Sequence, residues 1–326
     1  SAQYILALRN FDPKDTIERF KFGFIGSSDT HSARPGNGYK DIKRIDYTDA
    51  AGPTESSGFI FGFNEGEGVY GKSTPKSFTQ ETLPPGPLEV DRLMSYFYTG
   101  GLIATHSNEK TRESIWSSIK NKEVYATSGP RILLWFDLIN GPEGLMPMGS
   151  ETSLDENPRF LVRALGSFEQ KAGCPDYAVS ALGEDTIKHL CKNECYNPSD
   201  IRREIDRIEI VKILPQEYEN EFLDDLIIDP WKTFKCNGTE ECIITFSDSD
   251  FESSKRDALY YVRAIEKESK AVNADNLRCK LDNFGRCIEV DICYGSPLQT
   301  PREEDCLGRV EERAWSSPIF VDYKKY

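Results

Sequence analysis

The chain is 326 residues long, enough for two domains and a sizeable buried interior. Fifty-four acidic against forty basic residues give a net charge of −14, which sets the surface against the phosphate backbone of nucleic acid and against anionic membranes. No stretch approaches the roughly 18 consecutive apolar residues of a membrane helix, so no membrane span is expected, and the N-terminal "SAQYILALRN" lacks the charged start and cleavage site of a signal peptide.

Along the chain, Tyr4 to Phe20 read as a helix tail and a turn at "FDPKDT". Phe20, Phe22 and Phe24 then alternate with Lys21 and Gly23 as in a β-strand that stops at Gly26. Residues 33–87 are rich in Gly, Pro, Ser and Thr, the composition of a lid or insertion over a site. Helical spacing resumes through Leu93, Met94 and Phe97. Thr111 is the expected N-cap of a helix in "RESIWSSIKNKE", whose Ile115, Trp116 and Ile119 share one face.

"VYATSGPRILLWFDLI" holds two extended runs about an SGP turn, and helices become scarce beyond it. "RFLVRAL", "DRIEIVKIL", "CIITF", "ALYYVRAIE", "CIEVDIC" and "SPIFVDY" are short runs rich in β-branched and aromatic residues, with a lone helical turn at "DTIKHLCKNE". Ile288, Val290 and Ile292 alternate with Glu289 and Asp291 as in a strand with one wet face. The expected organisation is an α/β part over residues 1–129 followed by a Cys-rich antiparallel β-sandwich-like domain over residues 130–326.

All nine cysteines follow residue 173, and spacings such as "CKNEC" and "CNGTEEC" lack the paired Cys-x-x-Cys knuckles of a zinc ribbon. A disulfide framework is the better reading, with Cys236–Cys242 and Cys279–Cys287 as hairpin-spanning bridges and one thiol left over. Disulfides and the sequon at Asn237 place the chain in a secreted or periplasmic setting.

The chemistry-bearing stretch is "FKFGFIGSSDTHSARPG". In an extended chain residues i and i+2 point to the same side, so Asp29 and His31 can address one metal ion or two adjacent ones. A carboxylate oxygen with an imidazole nitrogen suits Zn, Mn or Fe. The competing reading is a polar turn after a buried strand, with Ser27, Ser28, Asp29 and Thr30 satisfying backbone groups. Arg34 is placed to contact a substrate phosphate or to form a surface ion pair. His106, in "GLIATHSNE", either faces the same site as a catalytic residue or is structural. No Gly-x-Ser-x-Gly elbow and no P-loop ending occur near these residues.

"FKFGFIGSSDTHSARPG", "GGLIATHSNEKTRESIWSSIKNKEVYATSGPRILLWF", "CYNPSDIRREIDRIEIVKILPQ" and "ERAWSSPIFVDY" together resemble the DUF3604 family, grouped with the polymerase and histidinol phosphatase (PHP) superfamily of metal-dependent phosphoesterases. The resemblance implies a distorted α/β barrel of which this chain holds the C-terminal part, with Asp29 and His31 as divalent-metal ligands (Zn, Mn or Fe). It further implies a small phosphoester substrate attacked by a metal-activated water. In that superfamily the other ligands come from strands before the Asp-x-His strand, whereas only 28 residues precede Asp29 here and the remaining histidines, His106 and His189, form no His-x-His motif. The metal site is therefore expected to be incomplete in this chain alone, with an N-terminal polypeptide as the partner that completes the barrel. The alternatives are one half of a split enzyme, or a non-catalytic binding or structural module with a vestigial metal motif.

Overall fold

The computed structural model describes residues 1–11, 19–27, 76–77, 101–191, 193–272, 279–290 and 307–324. In chain order the first half carries α1 (Ala2–Ala7), β1 (Lys76–Ser77), β2 (Leu102–Thr105), α2 (Arg112–Lys120), β3 (Val124–Thr127), β4 (Leu133–Gly141), β5 (Gly144–Pro147), β6 (Glu151–Leu154), β7 (Arg159–Leu165) and β8 (Phe168–Gln170). Then come α3 (Asp176–Leu182), α4 (Glu184–Cys191), β9 (Pro198–Arg202), β10 (Ile205–Ile213), β11 (Ile227–Thr239), β12 (Glu241–Ser247) and α5 (Phe251–Ser254). The last elements are β13 (Ala258–Glu266), β14 (Ser269–Val272), β15 (Lys280–Leu281), β16 (Cys287–Val290), β17 (Leu307–Val310), β18 (Arg313–Ser316) and β19 (Ile319–Tyr323).

Two sheets make the body. The larger runs β11-β10-β13, after which β18 and β19 lie end to end along β13; β18 continues to β3 and β2, and β19 pairs with β6. The smaller runs β12-β7-β4-β5 and is antiparallel throughout. Alternate residues of β4 (Leu134, Phe136, Leu138) and β7 (Phe160, Val162, Ala164) face Ile208 and Ile210 of β10 and Tyr260, Val262 and Ala264 of β13 in one buried cluster. That period of two, read on both sheets, is what packs them as a sandwich. Phe160 lies at its centre, with ring centroids 4.9 Å from Phe246, 4.8 Å from Tyr260 and 5.4 Å from Phe136.

The outer face of the larger sheet has a second apolar layer, in which Leu6 and Ala7 of α1 pack with Val211, Ile213, Leu259, Tyr261 and Phe320, and with Phe22 and Phe24. Residues 19–27 are not a ladder strand as their alternation suggested; their one bridge joins Arg9 to Arg19. Phe22 and Phe24 instead lie against the sheet, with Phe24 edge-on to Tyr261 at 5.1 Å. Ion pairs of Arg19 with Asp257 and Asp322, and of Lys21 with Glu151 at 3.0 Å, hold this segment down.

Among the described residues there is no closed barrel, and the β2–α2–β3 unit expected to continue one pairs its two strands antiparallel at the edge of the larger sheet. Thr111 caps α2 as expected, its side chain accepting from the Ser114 N–H at 3.3 Å. Yet the apolar face of α2 is open: Trp116 is 64% exposed, and Ile115 and Ile119 are exposed with it. The helical turn expected near residue 187 is one of two consecutive helices, α3 and α4. In β16 Ile288 is exposed and Glu289 half-buried, while Asp291 and Ile292 of the expected alternation lie outside the described residues.

Both expected bridges are present: Cys236–Cys242 ties β11 to β12 across the two sheets, and Cys279–Cys287 closes the β15–β16 hairpin. A third, Cys174–Cys195, fastens the α3–α4 excursion, and Cys191 is a free thiol. The expected lid over residues 33–87 lies outside the described residues apart from β1, as does the helical spacing around Leu93. Because Phe160 touches aromatic rings from both sheets, Phe160→Ala is expected to cost about 3–5 kcal/mol of folding free energy in denaturant titration, with the Cys236–Cys242 bridge intact.

Candidate functional site

A cavity of about 1000 Å³ lies between the N-terminal layer and the β3–β18 side of the larger sheet. Its floor is apolar, formed by Phe22, Phe24, Ala126, Tyr261 and Trp315, and its rim carries Gln3, Ser27, Thr127, Ser128, Glu311, Glu312 and Arg313. A large apolar pocket with a few convergent polar groups is the usual form of a small-molecule site.

Glycines set one wall. A Cβ on Gly26 would lie 2.7 Å from the Leu102 carbonyl oxygen, and one on Gly101 would lie 3.0 Å from the Ser27 carbonyl oxygen, so only hydrogen at both positions lets residues 26–27 touch the start of β2. The Phe24 N–H donates to Ser317 Oγ at 3.1 Å, and that hydroxyl donates to the Val124 carbonyl at 2.6 Å. These contacts hold residues 24–27 against β2, β3 and Ser317.

The polar rim is internally paired. Ser128 Oγ donates to the buried Glu312 carboxylate and accepts from the Arg313 N–H at 2.9 Å. Glu311 receives Arg207 in bidentate fashion at 2.6 and 2.7 Å, and Arg207 also reaches Glu209 at 2.8 Å and Asp206 at 3.0 Å. Hydrogen bonding from Arg207 holds the Glu311 carboxyl below the usual glutamate range. Tyr261, whose hydroxyl accepts from Gln3 at 2.9 Å, is pushed up by burial and by the nearby Asp229 charge, so it stays a neutral phenol.

Asp29, His31 and Arg34 lie outside the described residues. His106 does not line the cavity: its Nε2 sits 2.8 Å from the Leu134 carbonyl, and its ring packs 5.5 Å from Tyr125 and 5.6 Å from Trp135. His189 is in the last turn of α4, on the excursion held by Cys174–Cys195. Arg131 lies 3.7 Å over the Tyr196 ring, joining the β3–β4 turn to the segment after that disulfide. Among the described residues no group of three or more His, Cys, Asp or Glu side chains is placed to hold a metal ion. Sequence reasoning missed Ser128, Glu311 and Glu312, because Ser128 read as part of the SGP turn and nothing in "EER" alone marks it as part of a pocket.

Fold and cavity together define a disulfide-tied, mostly antiparallel sandwich with an apolar-floored, polar-rimmed pocket beneath its N-terminal layer. Residues 9–137, from the first turn after α1 into β4, match the model of a family described as a protein of unknown function (DUF3604), in agreement with the resemblance over that stretch. An uncharacterized protein of Chlamydia pneumoniae is 41% identical over 65 residues, which are 20% of this chain and 10% of that protein. The match thus spans about a tenth of the length of that curated relative. No solved structure matches the chain at a significant level.

Two outcomes follow from the wall and the rim. Gly26→Ala is expected to cost about 1–3 kcal/mol in denaturant titration, because the Leu102 backbone cannot yield to a methyl group as a flexible side chain would. The depressed Glu311 carboxyl contributes stability above the ordinary glutamate pKa of about 4.3, and that contribution is lost as pH falls through its lower folded value. Glu311→Gln is therefore expected to lower the melting temperature at neutral pH, with the difference from the parent chain closing in acid.

Proposed function

We propose that the chain forms part of a metal-dependent hydrolase of PHP type acting on a small phosphoester, with Asp29 and His31 as two of its metal donors. The observation that supports this reading most is the path of residues 19–27: pressed on the sheet by Phe22 and Phe24 and on β2 at Gly26, the chain reaches Ser27 in the cavity wall two residues before Asp29. A divalent ion bound there would supply Lewis-acid stabilisation of charge developing on the phosphoryl group.

The described residues alone do not make such a centre. Glu312 is buried and hydrogen-bonded by Ser128, Glu311 is engaged by Arg207, and His106 faces Leu134. The remaining donors in this reading come from outside the described residues or from a second polypeptide. The chain's own contribution is an apolar floor for the organic part of the substrate, shielding of the reacting group from water, and Arg34 as the contact to phosphate. The disulfides fit a secreted or periplasmic setting. The open face of α2, with Trp116 exposed beside the edge strand β2, favours a second reading in which the chain is an interaction module whose metal motif is vestigial.

Elemental analysis of the purified chain separates the two. The hydrolase reading expects near-stoichiometric Zn, Mn or Fe, its loss in Asp29→Ala and His31→Ala, and a fall of about 100-fold or more in phosphoesterase turnover in both. A chain that, alone and together with any polypeptide that co-purifies with it, takes up no metal from excess Zn, Mn or Fe and cleaves no phosphoester contradicts it and leaves the module.

A further inference from the structure

The interior of the sandwich contains three groups that its apolar pattern does not call for. On β10 the inward positions are Ile208, Ile210 and then Lys212; on β12 they are Cys242, Ile244, Phe246 and then, one step past the strand, Asp248; on β13 Tyr260 stands between Ala258 and Val262. Lys212 and Asp248 are both buried, Asp248 completely. Lys212 Nζ lies 2.5 Å from Asp248 Oδ2, and the Tyr260 hydroxyl donates to the same oxygen at 2.5 Å. The other carboxylate oxygen, Oδ1, accepts the Asp250 N–H at 3.1 Å. Trp231 covers the ammonium group at 5.2 Å from its ring centroid and also stands 5.8 Å from Tyr260.

We propose that Lys212 and Asp248 condense spontaneously into an intramolecular isopeptide bond that joins β10 of the larger sheet to the end of β12 of the smaller. One proton passes from the ammonium to the carboxylate, giving amine and acid. The nitrogen lone pair forms the Nζ–Cγ bond while the Cγ–Oδ2 bond breaks, and a second proton from nitrogen leaves with Oδ2 as water. Ammonium plus carboxylate thus become amide plus water, with no oxidant, nucleotide or metal in the balance.

Each contact has a part in that step. Proximity replaces a bimolecular encounter. The Tyr260 hydroxyl hydrogen-bonds the oxygen that departs, while the Asp250 N–H holds the oxygen that stays and carries charge in the tetrahedral intermediate. Burial sets the direction, because two desolvated charges are more costly to keep inside than one neutral amide. Burial and the adjacent Asp248 raise the Tyr260 pKa well above its ordinary value, so the phenol keeps its proton at neutral pH.

The test is the intact mass of the purified, reduced, denatured chain. The bond is expected to make it lighter than its sequence by one water. After reduction and trypsin, Lys212 should resist cleavage, and residues 208–232 should be recovered covalently linked to residues 236–255, with the Lys212–Asp248 junction read by fragmentation. Lys212→Ala and Asp248→Ala should both restore the full mass, and Tyr260→Phe should leave part of the chain unlinked. A parent chain at full mass that is cleaved after Lys212, or a water loss without the linked peptides, would overturn the proposal.

Discussion

Strand β13 is buried on both faces, and the rest of the molecule is arranged around that fact. Ala258, Tyr260, Val262 and Ala264 enter the sandwich interior, while Leu259 and Tyr261 enter the outer layer. A strand dry on both sides needs a cover on each. The smaller sheet supplies one, and α1 with residues 19–27 supplies the other. The cavity lies at that second cover, lined by Phe22 and Phe24 of the irregular segment and by Tyr261 and Trp315 of the sheet.

Much of the body was legible because its strands carry the period-two signal. "RFLVRAL", "CIITF" and "ALYYVRAIE" are β7, β12 and β13 almost residue for residue. β11 was not legible, because Pro230 interrupts it; the strand tolerates the proline because it lies at the edge of the larger sheet and its register shifts there, between Ile210 and Lys212 of β10. β19 was legible as "SPIFVDY", which begins at Ser317 and Pro318, whereas the four-residue β18 just before it was not read. Cys236–Cys242 and Cys279–Cys287 are close in sequence and therefore readable, whereas Cys174–Cys195 depends on the path of α3 and α4.

The site was less legible than the fold. Phe20, Phe22 and Phe24 alternate like a strand, but alternation reports only that one side is apolar, and here that side lies flat on a sheet face. Ser128, Glu311 and Glu312 acquire meaning only when β3 and β18 pair, since Ser128 and Arg313 meet across 185 residues of chain. Lys212 and Asp248 show the opposite limit. Each occupies a position that pattern assigns to an apolar residue, and only the approach of the two sheets gives it a partner.

What ties the fold to the proposed function is Ser27, which lines the cavity two residues before Asp29 in sequence, while Gly26 and Gly101 let residues 26–27 pack closely on the start of β2. Paramagnetic broadening by Mn²⁺ added to isotope-labelled protein reports this directly. If Asp29 and His31 bind metal at the cavity, the amide signals of Ser27, Gly101, Thr127 and Ser128 should broaden first and together, and Asp29→Ala should abolish the effect. Broadening scattered over the acidic surface, or centred away from these four residues, would contradict a metal site at the cavity.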